Sequence, residues 1–314
     1  MTGISVTCFA ASYAVALALE VSRLFFRSGV RGALMLGFAG AGLVAHTIFL
    51  GLRFASYESG PVSGWFDWFL LAAWLLTATY IYLTYYHPQN PIGLFVLPLV
   101  LILIAVGYGF RSDTTFAGGV RVWGLIHGIS LLLGLVVVLI GFVAGLMYLI
   151  EAARLKQKRP PGRRFRLPSL EWAEKVNGRT IVFSTILLGL GVLSGLAMNA
   201  LNHRQGDTSL PWTDPVVMSS SLLLAWLIAS TVFNFTYRPA RQGRKVVYLT
   251  LASMVFLLLA LSMILFAPSQ HPTQRATGAH DAKAFSGTVP VRTREPVTDQ
   301  CAQTITPAWR GLPG

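Results

Sequence analysis

Two histidines of this 314-residue chain stand inside long apolar runs, where an ionisable side chain is costly to keep and usually serves a purpose. His46 lies six residues before the end of the run 33–52, and His127 lies four residues after the start of the run 123–150. If the two runs are antiparallel spans, a helical rise of about 1.5 Å per residue sets both imidazoles roughly 6–9 Å inside the same boundary. Two neutral imidazoles at one depth are a donor set for both axial positions of a haem iron. The competing reading is that each ring hydrogen-bonds a neighbouring helix, as polar side chains in membranes do. Equal depth does not make the two helices neighbours, so residue types alone leave both readings open.

Other candidates cluster near the same boundary. Asp67 lies among Trp65, Trp68 and Trp74. Tryptophans there commonly form an interfacial belt, but Trp74 is roughly 13 Å from Trp65 along a helix, too deep for a belt. The stretch Leu210-Pro211-Trp212-Thr213-Asp214-Pro215, followed by Trp226, reads as anchor and helix cap, or as a platform on which a flat hydrophobic ring stacks. His203 and His271 fall in connecting segments on that side, each solvated or at the edge of a ligand, and His87 is assigned no role. Glu20 and Arg23 read as a snorkelling i,i+3 pair. The spacings Gly141–Gly145 and Gly189, Gly191, Gly195 permit close helix approach. Cys8 and Cys301 form no CxxC or zinc pattern. HExxH is absent and the carboxylates are dispersed, so the chain is expected to bind, not to catalyse.

The elements that must position these residues follow from composition. Residues are 54% hydrophobic and 12% charged, with mean hydropathy +0.60. A soluble chain carries about 25% charged residues, and only a lipid-facing surface accommodates so few. Spans of roughly 20 apolar residues occur at 4–24, 33–52, 65–86, 91–110, 123–150, 180–200, 215–236 and 246–267. The first has no basic leader or cleavage site and is expected to remain as a helix. Lys and Arg crowd the first, fifth and seventh connections, while the second, fourth and sixth hold only Arg53, then Arg111 and Arg121, then Arg204. The expectation is an all-α polytopic bundle of about eight transmembrane helices with both ends extracytoplasmic. Most of the net charge of +13 lies in these short connections, which points to anionic membrane lipids and away from nucleic acid. Residues 1–267 form the membrane domain; 268–314 read as a disordered extracytoplasmic tail. A small-solute or ion transporter is the alternative function, although paired repeats with broken helices are not visible in the sequence.

Four segments resemble the HemX/YpjD/CcsA-like family of cytochrome c assembly membrane proteins, in the family's order. They are Ala45-His46-Thr47-Ile48-Phe49-Leu50; the aromatic stretch from Trp65 to Trp74; Ile126-His127-Gly128-Ile129-Ser130 through Tyr148-Leu149-Ile150-Glu151 and Leu155-Lys156; and Leu167-Pro168-Ser169-Leu170-Glu171 with Leu187-Leu188-Gly189 and Ser194-Gly195. His127 looks like the family's ligand histidine before a tryptophan-rich segment, and Trp212-Thr213-Asp214-Pro215 with Trp226 looks like that WWD segment. Val216 and Val217 stand where the family usually carries a Lys and an acidic residue. Phe235-Thr236-Tyr237-Arg238 replaces a histidine often found there.

The resemblance implies a multi-pass protein of the bacterial cytoplasmic (inner) membrane that handles haem in cytochrome c biogenesis. Haem would be held near the extracytoplasmic face by His46 and His127, or His127 and His271, with Trp74, Asp67, Trp212, Asp214 and Trp226 around it. Other assembly proteins and apocytochrome c would be its partners, since the chain has no CxxCH acceptor or thiol pair.

Overall fold

A computed structural model of the chain describes residues 5–23, 25, 30–55, 64–88, 90–110, 115–116, 122–158, 167–204, 211, 213–236, 244–266 and 273–274. Trp212, His271, Cys301 and, apart from 273–274, the expected tail lie outside them. The elements are α1 Val6–Ser22, α2 Arg31–Ala55, α3 Trp65–Tyr86, α4 Gly93–Gly109, β1 Thr115–Phe116, α5 Val122–Lys156, α6 Leu170–Arg204, α7 Pro215–Thr236, α8 Arg244–Phe266 and β2 Thr273–Gln274. The two short strands pair antiparallel, Thr115 opposite Gln274 and Phe116 opposite Thr273.

The outer surface is apolar, unlike that of a water-soluble protein, and the interior admits polar side chains. Thr77, Asn177, Ser184 and Ser230 are buried, whereas Phe38, Val44, Phe183, Leu193, Val232 and Val255 are exposed. α2, α3, α5, α6 and α7 are each long and apolar enough to cross a membrane; α1, α4 and the apolar part of α8 are shorter. These features make a membrane helix bundle, with the outer apolar surface as its lipid face.

Each of the eight expected spans is a helix, but the helix ends depart from the hydropathy limits. α5 and α6 have 35 residues each, about 52 Å at 1.5 Å per residue, against roughly 30 Å of hydrocarbon. The excess lies at the connection between them, where Glu151 pairs with Arg154 and Glu171 with Lys175. Hydropathy marks only the part of a helix that needs lipid. α6 begins where Ser169 Oγ accepts the Trp172 N–H at 3.3 Å, an N-cap that owes nothing to apolarity.

Helices close into two groups of four. α1 packs on α2 and α4, and α3 on α2 and α4; α5 packs on α6 and α8, and α7 on α6 and α8. The two groups meet chiefly where α3 lies on α5. α3 is accordingly buried on several sides, through Phe66, Phe69, Leu70, Ala73, Leu76 and Tyr80 among others. The second group repeats the packing order of the first, a relation absent from the residue pattern.

Lipid tails are as apolar as leucine, so helix association relies on close packing. The buried stripe of α1, Val6, Phe9, Tyr13, Ala16 and Glu20, faces that of α2, Met35, Ala39, Gly42, His46 and Leu50. A Cβ on Gly42 would stand 2.6 Å from Tyr13 Cε1, whereas Gly40 has nothing within 4 Å. Gly42→Leu is expected to destabilise the bundle by about 1–3 kcal/mol, lowering the unfolding midpoint in detergent. Gly40→Leu should leave that midpoint in place, and equal effects of the two would sink this account of the α1–α2 contact.

Candidate functional site

His127 lies one turn into α5, on the face that meets α6. That contact is built from small residues receiving larger ones. A Cβ on Gly191 would stand 2.5 Å from Leu131 Cδ2, and one on Gly195 would stand 2.8 Å from both Cε1 and Nδ1 of His127. Of the glycines singled out for close approach, Gly141, Gly191 and Gly195 receive side chains this closely, while Gly145 and Gly189 make ordinary contacts. The His127 ring therefore rests on bare α6 backbone. Its Nδ1 is 2.7 Å from the Gly191 carbonyl oxygen, which Ser194 Oγ also approaches at 2.8 Å. A carbonyl only accepts, so Nδ1 carries the proton and donates it. Nε2 keeps its lone pair, the arrangement that orients and tautomerically fixes metal-ligating histidines. Beside it, the Trp68 ring from α3 lies over Gly128.

His46 has a different setting. It is fully buried, stacked on Phe9 with ring centroids 4.1 Å apart and planes 4° apart. Its Nδ1 is 3.3 Å from Tyr13 Oη, and Nε2 has no hydrogen-bond partner among the described residues. The ring is thus held against α1, as His127 is held against α6, and α3 packs between α2 and α5. The fold gives the two histidines different neighbouring helices.

The remaining candidates have local partners. Asp67 is buried and ion-paired with Arg53 from the end of α2, whose guanidinium also lies 4.6 Å from the centre of the Phe66 ring. Trp74 donates its indole N–H to Thr47 Oγ1 at 2.8 Å. Asp214 Oδ1 accepts the Val216 N–H at 2.9 Å, capping α7 ahead of Pro215. Trp226 donates to Ser253 Oγ at 3.1 Å and stacks on Phe256 at 4.8 Å. No group of three or more His, Cys, Asp or Glu able to hold a metal ion occurs among the described residues.

Sequence reasoning missed the carbonyl of Gly191, the Phe9–Tyr13 cover over His46, and the pairing of Arg53 with Asp67. The first had a signal in the four-residue glycine spacing; the other two depend on which helices become neighbours.

One free imidazole nitrogen on a ring fixed by a backbone carbonyl fits the chemistry of a single haem-iron ligand. No curated protein matches the chain. Residues 62–268 match the family model described as cytochrome C assembly protein. The matched span runs from just before α3 to the end of α8, so it contains His127, Asp67, Trp74, Asp214 and Trp226 and leaves out α1, α2 and His46. Because it covers more than half of the sequence, the chain belongs to the cytochrome c assembly protein family.

Proposed function

We propose that this protein serves cytochrome c biogenesis as a haem-holding accessory, with His127 Nε2 as the iron ligand. The observation that carries this reading is the 2.7 Å contact from His127 Nδ1 to the Gly191 carbonyl oxygen, which leaves one ring nitrogen available in a fixed direction. Trp68 beside Gly128 supplies apolar aromatic surface near it. Membership of the cytochrome c assembly family supports haem as the cargo.

In this reading the protein binds and orients haem and breaks no bond in it; a partner protein completes the attachment of haem to the cysteine thiols of apocytochrome c. Axial histidine ligation sets the iron's coordination and potential when haem is bound. The chain's own contribution is to hold the imidazole in one tautomer. α6 keeps the ring in place, and Asp214 begins α7 with a capped helix end. All eight helices cross the bacterial cytoplasmic membrane, both termini are extracytoplasmic, and His127 lies near that outer face, as the Lys and Arg distribution indicates. His46 is assigned to α1–α2 packing, since its ring is enclosed by Phe9 and Tyr13 and lies outside the matched span.

Haemin titration of the detergent-purified protein, read by its Soret band and a pyridine haemochrome assay, tests this. The unaltered protein and His46→Ala are expected to bind, whereas His127→Ala should lose at least about tenfold in affinity, the scale of one lost ligand interaction. Protein that stays colourless with haemin, or a His127→Ala variant that binds as well as the unaltered chain, would overturn the assignment.

A further inference from the structure

Four buried oxygens without a hydrogen-bond partner among the described residues belong to three side chains: Glu20 Oε1 and Oε2, Tyr80 Oη and Thr84 Oγ1. Glu20 is 1% exposed, Tyr80 0% and Thr84 4%. Glu20 from α1 and Tyr80 from α3 converge on the start of α4, and Thr84 lies beside Tyr80. A Cβ on Gly93 would stand 2.6 Å from Tyr80 Cε2 and 2.7 Å from Glu20 Oε1. Thr84 follows Tyr80 by four residues, on the same face of α3.

The charged and titratable groups facing Glu20 are Arg23 from the end of α1 and Tyr80 from α3, while α4 presents the Gly93 backbone. Arg23 Nη1 forms the expected i,i+3 ion pair with Glu20 Oε2 at 3.8 Å, a separation longer than a hydrogen bond. Arg23 donates instead to the Pro88 carbonyl at 2.9 Å and the Asn90 carbonyl at 3.5 Å, in the α3–α4 turn. Its side chain is 23% exposed, so it joins the enclosed carboxyl to solvent.

A buried polar group left without a partner costs about 1–3 kcal/mol, and a bare buried carboxylate far more. A proton on the carboxyl removes the larger penalty, and water between the oxygens removes the rest, because a buried water makes about three hydrogen bonds. A metal cation would meet the guanidinium and the positive end of α4. An anion would meet the carboxylate.

We propose that Glu20, Tyr80 and Thr84 form a proton-binding site. Glu20 takes its proton from water at the α3–α4-turn end of the bundle, past Arg23, and a bound water bridges the carboxyl to the Tyr80 and Thr84 hydroxyls. This site lies apart from His127, and Glu20 is outside the span matched by the family model.

Infrared difference spectra of the full chain in lipid nanodiscs, taken between acid and alkaline buffers, test the proposal. A protonated-carboxyl C=O band that titrates with pH and shifts in heavy water is expected. Carboxyl-labelled glutamate should move that band in the unaltered protein, and Glu20→Gln should remove it. Tyr80→Phe should displace it without abolishing it, because the hydrogen bonding around the carboxyl changes. The proposal is overturned if labelling moves no such band, if Glu20→Gln keeps it, or if at fixed pH and ionic strength the band responds to sodium or potassium, which would make the site a metal-cation site.

Discussion

Arg53→Ala is expected to cost the folded bundle about 3 kcal/mol, the lower end of what removing one partner of a buried ion pair costs. Asp67 is 0% exposed and Arg53 25% exposed, so the loss falls on a carboxylate that cannot turn to water. The arginine also covers the Phe66 ring, and the pair pins the end of α2 to the start of α3. Loosening it therefore frees the aromatic beginning of α3, including Trp68, which lies over Gly128 next to His127. Arg53→Ala combined with Asp67→Leu should recover most of the loss, because no unpaired carboxylate then remains buried at position 67. Denaturant or thermal unfolding in detergent measures both. A single variant as stable as the unaltered protein, or a double variant as unstable as the single, contradicts the expectation. The result also bears on function: Asp67, a candidate to contact haem from the sequence, is engaged with Arg53.

The second large effect is expected at a residue that touches no ligand. Gly195→Val is expected to lower haemin affinity about 10- to 100-fold, the usual range for disturbing the group that orients a metal-ligating histidine. A Cβ there would stand 2.8 Å from two His127 ring atoms, so the imidazole must leave the Gly191 carbonyl. Gly189→Val is the control: a Cβ at Gly189 meets only Leu224 Cδ1 at 3.8 Å, and haemin affinity should stay within about twofold, roughly 0.4 kcal/mol. Circular dichroism establishes whether each variant keeps its helices. Folded Gly195→Val protein that binds haemin as tightly as the unaltered chain would separate the glycine from the ligand's orientation and undo this part of the site.

The location of the spans was legible because the preference of a segment for lipid is a local property. The apolar runs at 33–52 and 65–86 lie within or match α2 Arg31–Ala55 and α3 Trp65–Tyr86. The run 180–200 covers little more than half of α6 Leu170–Arg204, since its charged first turns are helical through capping and packing. Family character was legible as well, because the order of His127, the glycine-bearing sixth helix and the Asp214-Pro215 segment is written along the chain.

Residue types and spacing by themselves determined that this is an apolar, multi-helix membrane chain with two histidines inside its apolar helices. Only tertiary structure decided what each histidine faces. Depth depends on position along one helix, but ring direction depends on which helix packs beside it, and that is a property of the assembled bundle. His46 met Phe9 and Tyr13 of α1; His127 met the Gly191 carbonyl of α6. A carbonyl has no signature in the sequence, since every residue carries one. It becomes a partner for His127 only because glycine at 191 and 195 leaves the α6 backbone uncovered there.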